Sequence, residues 1–233
     1  MKKISTREYI SLLIIPIMYL SMYITFDLTG NTLIVRIVDT IIRITLMFFL
    51  CYLFKDILKK HFYSFKSRKR IKWFYVILGA LFLQIIISII SKLAPSVPTE
   101  TAAILEGLDF DLLTSSWSLY FIMLFTSLSS SATAIIEDIV FKHTLLNKLL
   151  TKSVVINTLI VLFNSFVFGA IHYANFGNSI INTIPYMFAG LFLNIVYLKT
   201  RNLFYVLFIH LFNNFVISTL ITLMLGIVKI FYN

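Results

Sequence analysis

The chain has 233 residues, 59% of them hydrophobic and 13% charged, where a soluble domain carries about a quarter charged residues. A mean hydropathy of +0.93 sets aside an ordinary soluble fold and gives an all-α integral membrane protein as the fold class. The formal net charge of +10 reads as a topology signal and an attraction to anionic lipid; no basic, aromatic-interleaved soluble domain is present to carry a nucleic-acid role.

Apolar stretches near the roughly 20 residues that cross the hydrocarbon recur at 9–26, 32–54, 73–91, 117–136, 154–173, 180–198 and 203–228. They predict a multi-span helical bundle of about seven transmembrane helices, and six to eight is the range. The last stretch is long enough to tilt or break in two, and the segment 100–116 can dip into the membrane. Residues 1–233 form a single membrane domain, with no internal repeat and no low-complexity tract. The first stretch follows Lys2, Lys3 and Arg7 without an A-x-A-like cleavage site, so it is expected to be a retained helix.

The second stretch carries Arg36, Asp39 and Arg43 at spacings of three and four, a pattern expected of an ion-pair ladder facing the bundle. Cys51 reads as a core thiol. Eight of the 20 Lys+Arg lie between Lys55 and Lys72, which places that loop inside. Its "KSRKR" reads as a solvated or lipid-facing cluster. The segment Ala94–Ser116 has no Lys or Arg but has Glu100, Glu106, Asp109 and Asp111, as expected on the opposite side. Lys148, Lys152, Lys199 and Arg201 then alternate back inward, which makes the N-terminus cytoplasmic.

Ionisable groups at membrane depth cost several kcal/mol unless paired or functional, so those inside the later spans point to a site. "AIIEDIVFKHTLL", residues 134–146, carries Glu137 and Asp138, with Lys142 spaced to pair with Asp138 across one helical turn. "SFVFGAIHYAN" carries Phe168 and His172, and its Ser165 and Gly169 form a small-xxx-small pair that lets another helix approach. "FIHLFNN" carries His210, with Asn214 four residues on and on the same face. If spans four and five form a hairpin, Glu137 and His172 lie at similar depth, about 25 Å from the turn at 1.5 Å per residue. The hairpin tip "FKHTLLNKLLTKS" then extends beyond the bilayer, and the site opens toward the cytoplasmic half.

Peptide hydrolysis needs a base to activate water, donors for the oxyanion and a cavity that aligns the reactants. Glu137 can act as that base with His172 sharing the proton, while His210 and the Asn214 amide can donate to the oxyanion. The same Glu137, His172 and His210 can instead be three zinc ligands with water in the fourth position. Spacing does not choose between these readings.

Glu-Asp-x-x-Phe-Lys at 137–142, Phe-x-x-x-His at 168–172 and His-x-x-x-Asn at 210–214, in that order on separate helices, resemble the three motifs of the CPBP intramembrane proteases. That family, also called Abi or CAAX-protease-like, includes the Ras-converting CAAX endopeptidase and bacterial proteins linked to bacteriocin maturation and self-immunity. The resemblance covers about residues 115–220, the expected catalytic core. It implies Glu137 as the water-activating base, His172 and His210 as the catalytic histidines, and Asn214 as an oxyanion partner. Where the family usually has a second glutamate and an arginine, this chain has Asp138 and Lys142; an aspartate reaches less far, and a lysine lacks the guanidinium fork.

The resemblance further implies a glutamate-dependent mechanism without a tightly bound metal, so no cofactor is expected, with zinc as the alternative. The expected partners are membrane lipid and a peptide or protein substrate, such as a bacteriocin or other secreted-peptide precursor. The expected location is the bacterial cell membrane. The alternative from another class is a non-catalytic immunity or regulatory protein that binds through the same cavity. A proton-coupled transporter lacks support, since neither inverted repeats nor paired broken helices appear.

Overall fold

The computed structural model of the chain describes residues 4–94 and 115–232, and no strand occurs among them. Glu100, Glu106, Asp109 and Asp111, and with them most of the expected membrane dip, lie outside the described residues.

Helix α1 (Thr6–Thr29) starts at a capping box. The Ser5 N–H donates to the Glu8 carboxylate at 2.6 Å, which pairs an otherwise orphaned donor at the helix start. It ends at Gly30, whose φ of 58° is left-handed and whose N–H donates to the Phe26 carbonyl at 2.8 Å. Asn31 then caps α2 (Thr32–Leu53), accepting from the N–H groups of Leu33 and Ile34.

The basic segment folds into a short helix, α3 (Lys55–Lys66), followed by α4 (Ile71–Leu93). Lys72 joins the two by donating to the carbonyls of Phe65, Lys66 and Arg68 at 2.8–3.2 Å. The ammonium thereby satisfies helix-end carbonyls that have no intrahelical partner.

Helix α5 (Trp117–Asp138) runs on through a π-helical segment, Ile139–Leu146, to Leu149. Helix α6 (Val154–Ala170) is followed by short 3₁₀ turns at Tyr173–Phe176 and Ile181–Thr183, and then by α7 (Ile184–Thr200), with Pro185 in its first turn. Asn202 caps α8 (Leu203–Asn214), which continues through a second π-helical segment, Phe215–Leu220, into α9 (Ile221–Tyr232). The long last stretch thus changes helix type immediately after Asn214.

Among the described residues, five helical segments are long and apolar enough to cross a membrane: Thr6–Thr29, Ile71–Leu93, Trp117–Leu149, Ile181–Thr200 and Leu203–Phe231. Val154–Ala170 is apolar but shorter. Helix α2 has the length, at 22 residues, but carries Arg36, Asp39 and Arg43. Helices therefore occupy all seven apolar stretches of the sequence. The burial pattern is that of a membrane protein: Phe231 and Val154 are 85% and 79% exposed, whereas Asp138 and Lys142 are 0% exposed.

Helix α8 sits centrally, packed against α3, α4, α5 and α7, while α6 packs along α7 and α2 fits between α1 and α5. Polar groups join several of these contacts. Asn194 of α7 donates to Ser165 Oγ at 2.9 Å, and Ser218 and Thr219 donate to the Ser127 carbonyl of α5.

Gly169 sets the closest approach of α6 to α7. A Cβ there would lie 2.6 Å from the Met187 backbone nitrogen and 2.9 Å from its Cα. At Gly79 the three atoms nearest an added Cβ all belong to the Ile209 side chain. Gly169→Ala is therefore expected to destabilise the detergent-purified protein by about 1–3 kcal/mol, and Gly79→Ala by less, because a backbone contact cannot rotate away. Thermal unfolding of the two variants side by side checks the order.

Candidate active site

The structure describes a cavity of about 490 Å³ among α1, α2, α4, α5, α7, α8 and the turn after α6. Glu137, His172, His210, Asn214 and Phe168 all line it. Glu137 and Asp138 are the last two residues of α5 before the π segment, and both are buried. Adjacent helical residues point about 100° apart, so Glu137 faces the cavity while Asp138 lies behind it.

His210 on α8 meets both carboxylates. Its Nδ1 is 3.4 Å from Asp138 Oδ2, and its Nε2 is 3.9 Å from Glu137 Oε2. One imidazole thus faces an acidic group at each ring nitrogen, which orients the ring and couples the two carboxylates. Among the described residues, His210 is the histidine within ion-pair distance of Glu137. His172, just beyond the end of α6, is held instead by aromatic rings: Tyr186 at 4.9 Å, Phe168 at 5.9 Å and Phe176 at 6.4 Å between centroids.

Asn214 lies one turn beyond His210, and its Nδ2 donates to the Ser130 carbonyl at 3.1 Å. Its Oδ1 accepts from Asn213 Nδ2 at 3.3 Å. The amide is fixed on both sides and keeps a second N–H. Phe168 stands edge-on to Phe141 and 5.8 Å from the His210 ring, so it forms the packed floor beneath the histidine.

The expected Asp138–Lys142 pair is not made in this form. Lys142 Nζ lies 3.5 Å from the Gly190 carbonyl and 4.4 Å over the Phe168 ring. The cause is the backbone: residues 139–146 are π-helical, so position 142 does not stack over 138 as an α-helical i,i+4 neighbour would. Asp138 is left to His210. The Phe141 carbonyl, within the same π segment, accepts from Asn164 Nδ2 at 3.1 Å, as expected where a neighbouring helix satisfies freed backbone groups. The tip residues Phe141, Lys142, His143 and Leu146 are buried by protein.

The expected ladder on α2 is also altered. Arg43 pairs with Asp39 at 2.7 Å and donates to Thr133 Oγ1 at 2.8 Å, but Arg36 turns to Met123 Sδ at 4.0 Å and joins no ion pair among the described residues. Arg43 and Asp39 line the same cavity as Glu137. They belong to the site's wall, a placement the helical spacing within α2 did not disclose. Tyr19, Asn175, Tyr186 and Asn213 also line the cavity. Asn175 and Asn213 are marked in the sequence by standing three residues after His172 and next to Asn214; Tyr19 and Tyr186 carry no such mark.

Among the described residues, no three His, Cys, Asp or Glu side chains are grouped as a metal site. Glu137, His172 and His210 share a cavity and are not grouped there as a set of three ligands. Chemically, the site offers a buried carboxylate next to an imidazole that is backed by a second carboxylate, facing a polar wall of Asn, Ser, Thr and Tyr donors.

Lys142 is the buried cation closest in sequence to the two carboxylates, and its removal leaves their charge less compensated. Lys142→Met is expected to destabilise the protein by about 3 kcal/mol or more, and Asp138→Asn in the same chain to restore part of the loss. A double-mutant cycle on thermal unfolding measures the coupling.

No curated protein and no solved structure matches the chain. Residues 115–216, from just before α5 to just past Asn214, match the family described as Type II CAAX prenyl endopeptidase Rce1-like. The matched segment contains Glu137, Asp138, Lys142, Phe168, His172, His210 and Asn214 and is embedded in a bundle of membrane-crossing length. Residues 115–216 are thus similar to the Type II CAAX prenyl endopeptidase Rce1-like family, and that likeness covers the part of the chain that carries the candidate site.

Proposed function

We propose that the protein is a glutamate-dependent intramembrane endopeptidase whose attacking water is held between Glu137 and His210. The observation that carries this reading is the 3.9 Å between Glu137 Oε2 and His210 Nε2 on the wall of the cavity. A water at the usual hydrogen-bond distance of about 2.8 Å from both fits at the apex of that pair. Glu137 takes the water's proton as the oxygen attacks the peptide carbonyl. His210, next to Asp138, stabilises the charge, and the proton held by Glu137 is relayed to the leaving amine nitrogen as the C–N bond breaks. Asn214, already fixed by Ser130, offers its second N–H to the oxyanion, and His172 lines the same cavity.

The family resemblance supports a membrane-associated peptide or protein substrate, of the bacteriocin-precursor or self-immunity type in a bacterial cell membrane. The cationic segment Lys55–Lys72 supports a cytoplasmic N-terminus and basic loop, because translocating eight cations is strongly disfavoured.

Glu137→Gln keeps size and hydrogen bonding but removes basicity. Turnover of quenched fluorescent membrane peptides in proteoliposomes is expected to fall by at least about a hundredfold, with substrate binding retained. Full biological activity of this variant in cells carrying the native substrate would show that the protein works by binding and would end the protease assignment. Asn214→Ala is expected to lower turnover by about 100- to 1,000-fold, as for loss of one oxyanion donor. For topology, a cysteine placed at Ser67 in a Cys51→Ser background should resist external labelling in intact cells; external labelling would reverse the orientation.

A further inference from the structure

A second cavity, of about 340 Å³, lies where α3, the π segment after α5 and the turn between α7 and α8 meet. Lys60, His61, His143, Asn147, Tyr197 and Arg201 line it together with Ile57, and it shares no lining residue with the candidate active site. Two cations contribute to its wall and no carboxylate does. Glu8, the acidic group that acts on His143 electrostatically, is itself taken up by Lys148 at 2.9 Å and by Ser5.

His143 is the informative member. It is only 5% exposed, and neither ring nitrogen has a hydrogen-bond partner. The ring stands edge-on to Phe54, which provides packing but no acceptor. A buried N–H without an acceptor is destabilising, so a histidine of this kind at a cavity wall points to a missing ligand. His61 adds a donor of known position. Its Nδ1 accepts from the Leu203 N–H at 2.9 Å, which places the proton of the neutral ring on Nε2. The same docking is reinforced by Asn202 Nδ2 donating to the His61 carbonyl at 2.9 Å.

The set is rich in donors and poor in acceptors. A planar guanidinium, an ammonium, two imidazole N–H groups and a phenol together exceed what one carboxylate can accept, and they suit the several oxygens of a phosphoryl group. We propose that this pocket binds a phosphoryl oxyanion, with Arg201 and Lys60 at its mouth and His143 at its base. The source is either a phospholipid headgroup, which Lys60 on the basic helix α3 can meet at the membrane surface, or free phosphate. Binding ties the π segment to α3 and the α7–α8 turn, which His61 already joins.

The test uses the full chain in detergent and in vesicles. In the first arm, thermal unfolding is followed against sodium phosphate, with sodium chloride at equal ionic strength as control. A saturable rise specific to phosphate assigns free phosphate. In the second arm, the protein is reconstituted with phosphatidic acid or phosphatidylcholine, and bound lipid is weighed by native mass spectrometry. Selective retention of phosphatidic acid without a response to phosphate assigns the headgroup. In either arm, Lys60→Gln, at an exposed position, and Arg201→Asn, which tolerates the left-handed φ of 50° found there, should weaken binding by about tenfold or more, as for a lost charge-assisted hydrogen bond. The proposal is overturned if neither phosphate nor phosphatidic acid exceeds its control, or if Lys60→Gln binds as the unaltered chain does.

Discussion

Two adjacent carboxylates inside a lipid-bathed bundle impose the central constraint on this structure. Isolated charges there cost several kcal/mol each, and neighbouring like charges add repulsion. The fold answers with two groups: His210 of α8, near Glu137 and Asp138, and Lys142 of the π segment that continues α5, over Phe168. The central position of α8 follows from this need, because only a helix in contact with α5 can bring an imidazole to both acids. The close approach of α6 to α7 at Gly169 and Met187 seats Phe168 below that imidazole. Packing that looks purely apolar thus supports an electrostatic arrangement.

Much of the fold was legible in the sequence because hydrocarbon thickness is a coarse, additive constraint. Each apolar stretch became a helix, and the last, long enough to tilt or break in two, runs on unbroken through the π segment after Asn214. Glu137, His172, His210 and Asn214 could be singled out because polar groups are rare at such depth. What the residues do to each other was less legible. The pairing of Asp138 with Lys142 rested on α-helical spacing, and nothing in "EDIVFKHTLL" announces a π-helical backbone. Arg36 and Arg43 look equivalent on a helical wheel, yet only Arg43 reaches the cavity, since the partner surface on α5, including Thr133, decides it. Tyr19 and Tyr186 gave no signal because tyrosine is common in membrane helices.

The two π segments share a position in the design. Each begins at the residue after a site residue, Asp138 in one case and Asn214 in the other. A π turn changes the rotational register of a helix without ending it. The half that faces the cavity can therefore hold its side chains at the angle the site requires, while the other half turns its own apolar face to lipid. Asn164 and Ser218 then supply hydrogen bonds at these irregular stretches, one to the Phe141 carbonyl and one to Ser127. Small polar residues in α6 and near α9 are in this sense part of the site's foundation.

The burial of Glu137 has a consequence for what can reach it. The carboxylate is 2% exposed, inside the bundle. For the endopeptidase proposed above, a peptide bond that came to Glu137 still helical would keep its carbonyl engaged in its own backbone ladder. A segment to be cut there must unwind, and unwinding inside hydrocarbon is opposed by every backbone group it exposes. Selection among substrates is then set in part before any side chain is recognised, by how readily a segment lets go of its helix near the membrane surface or at a glycine or proline.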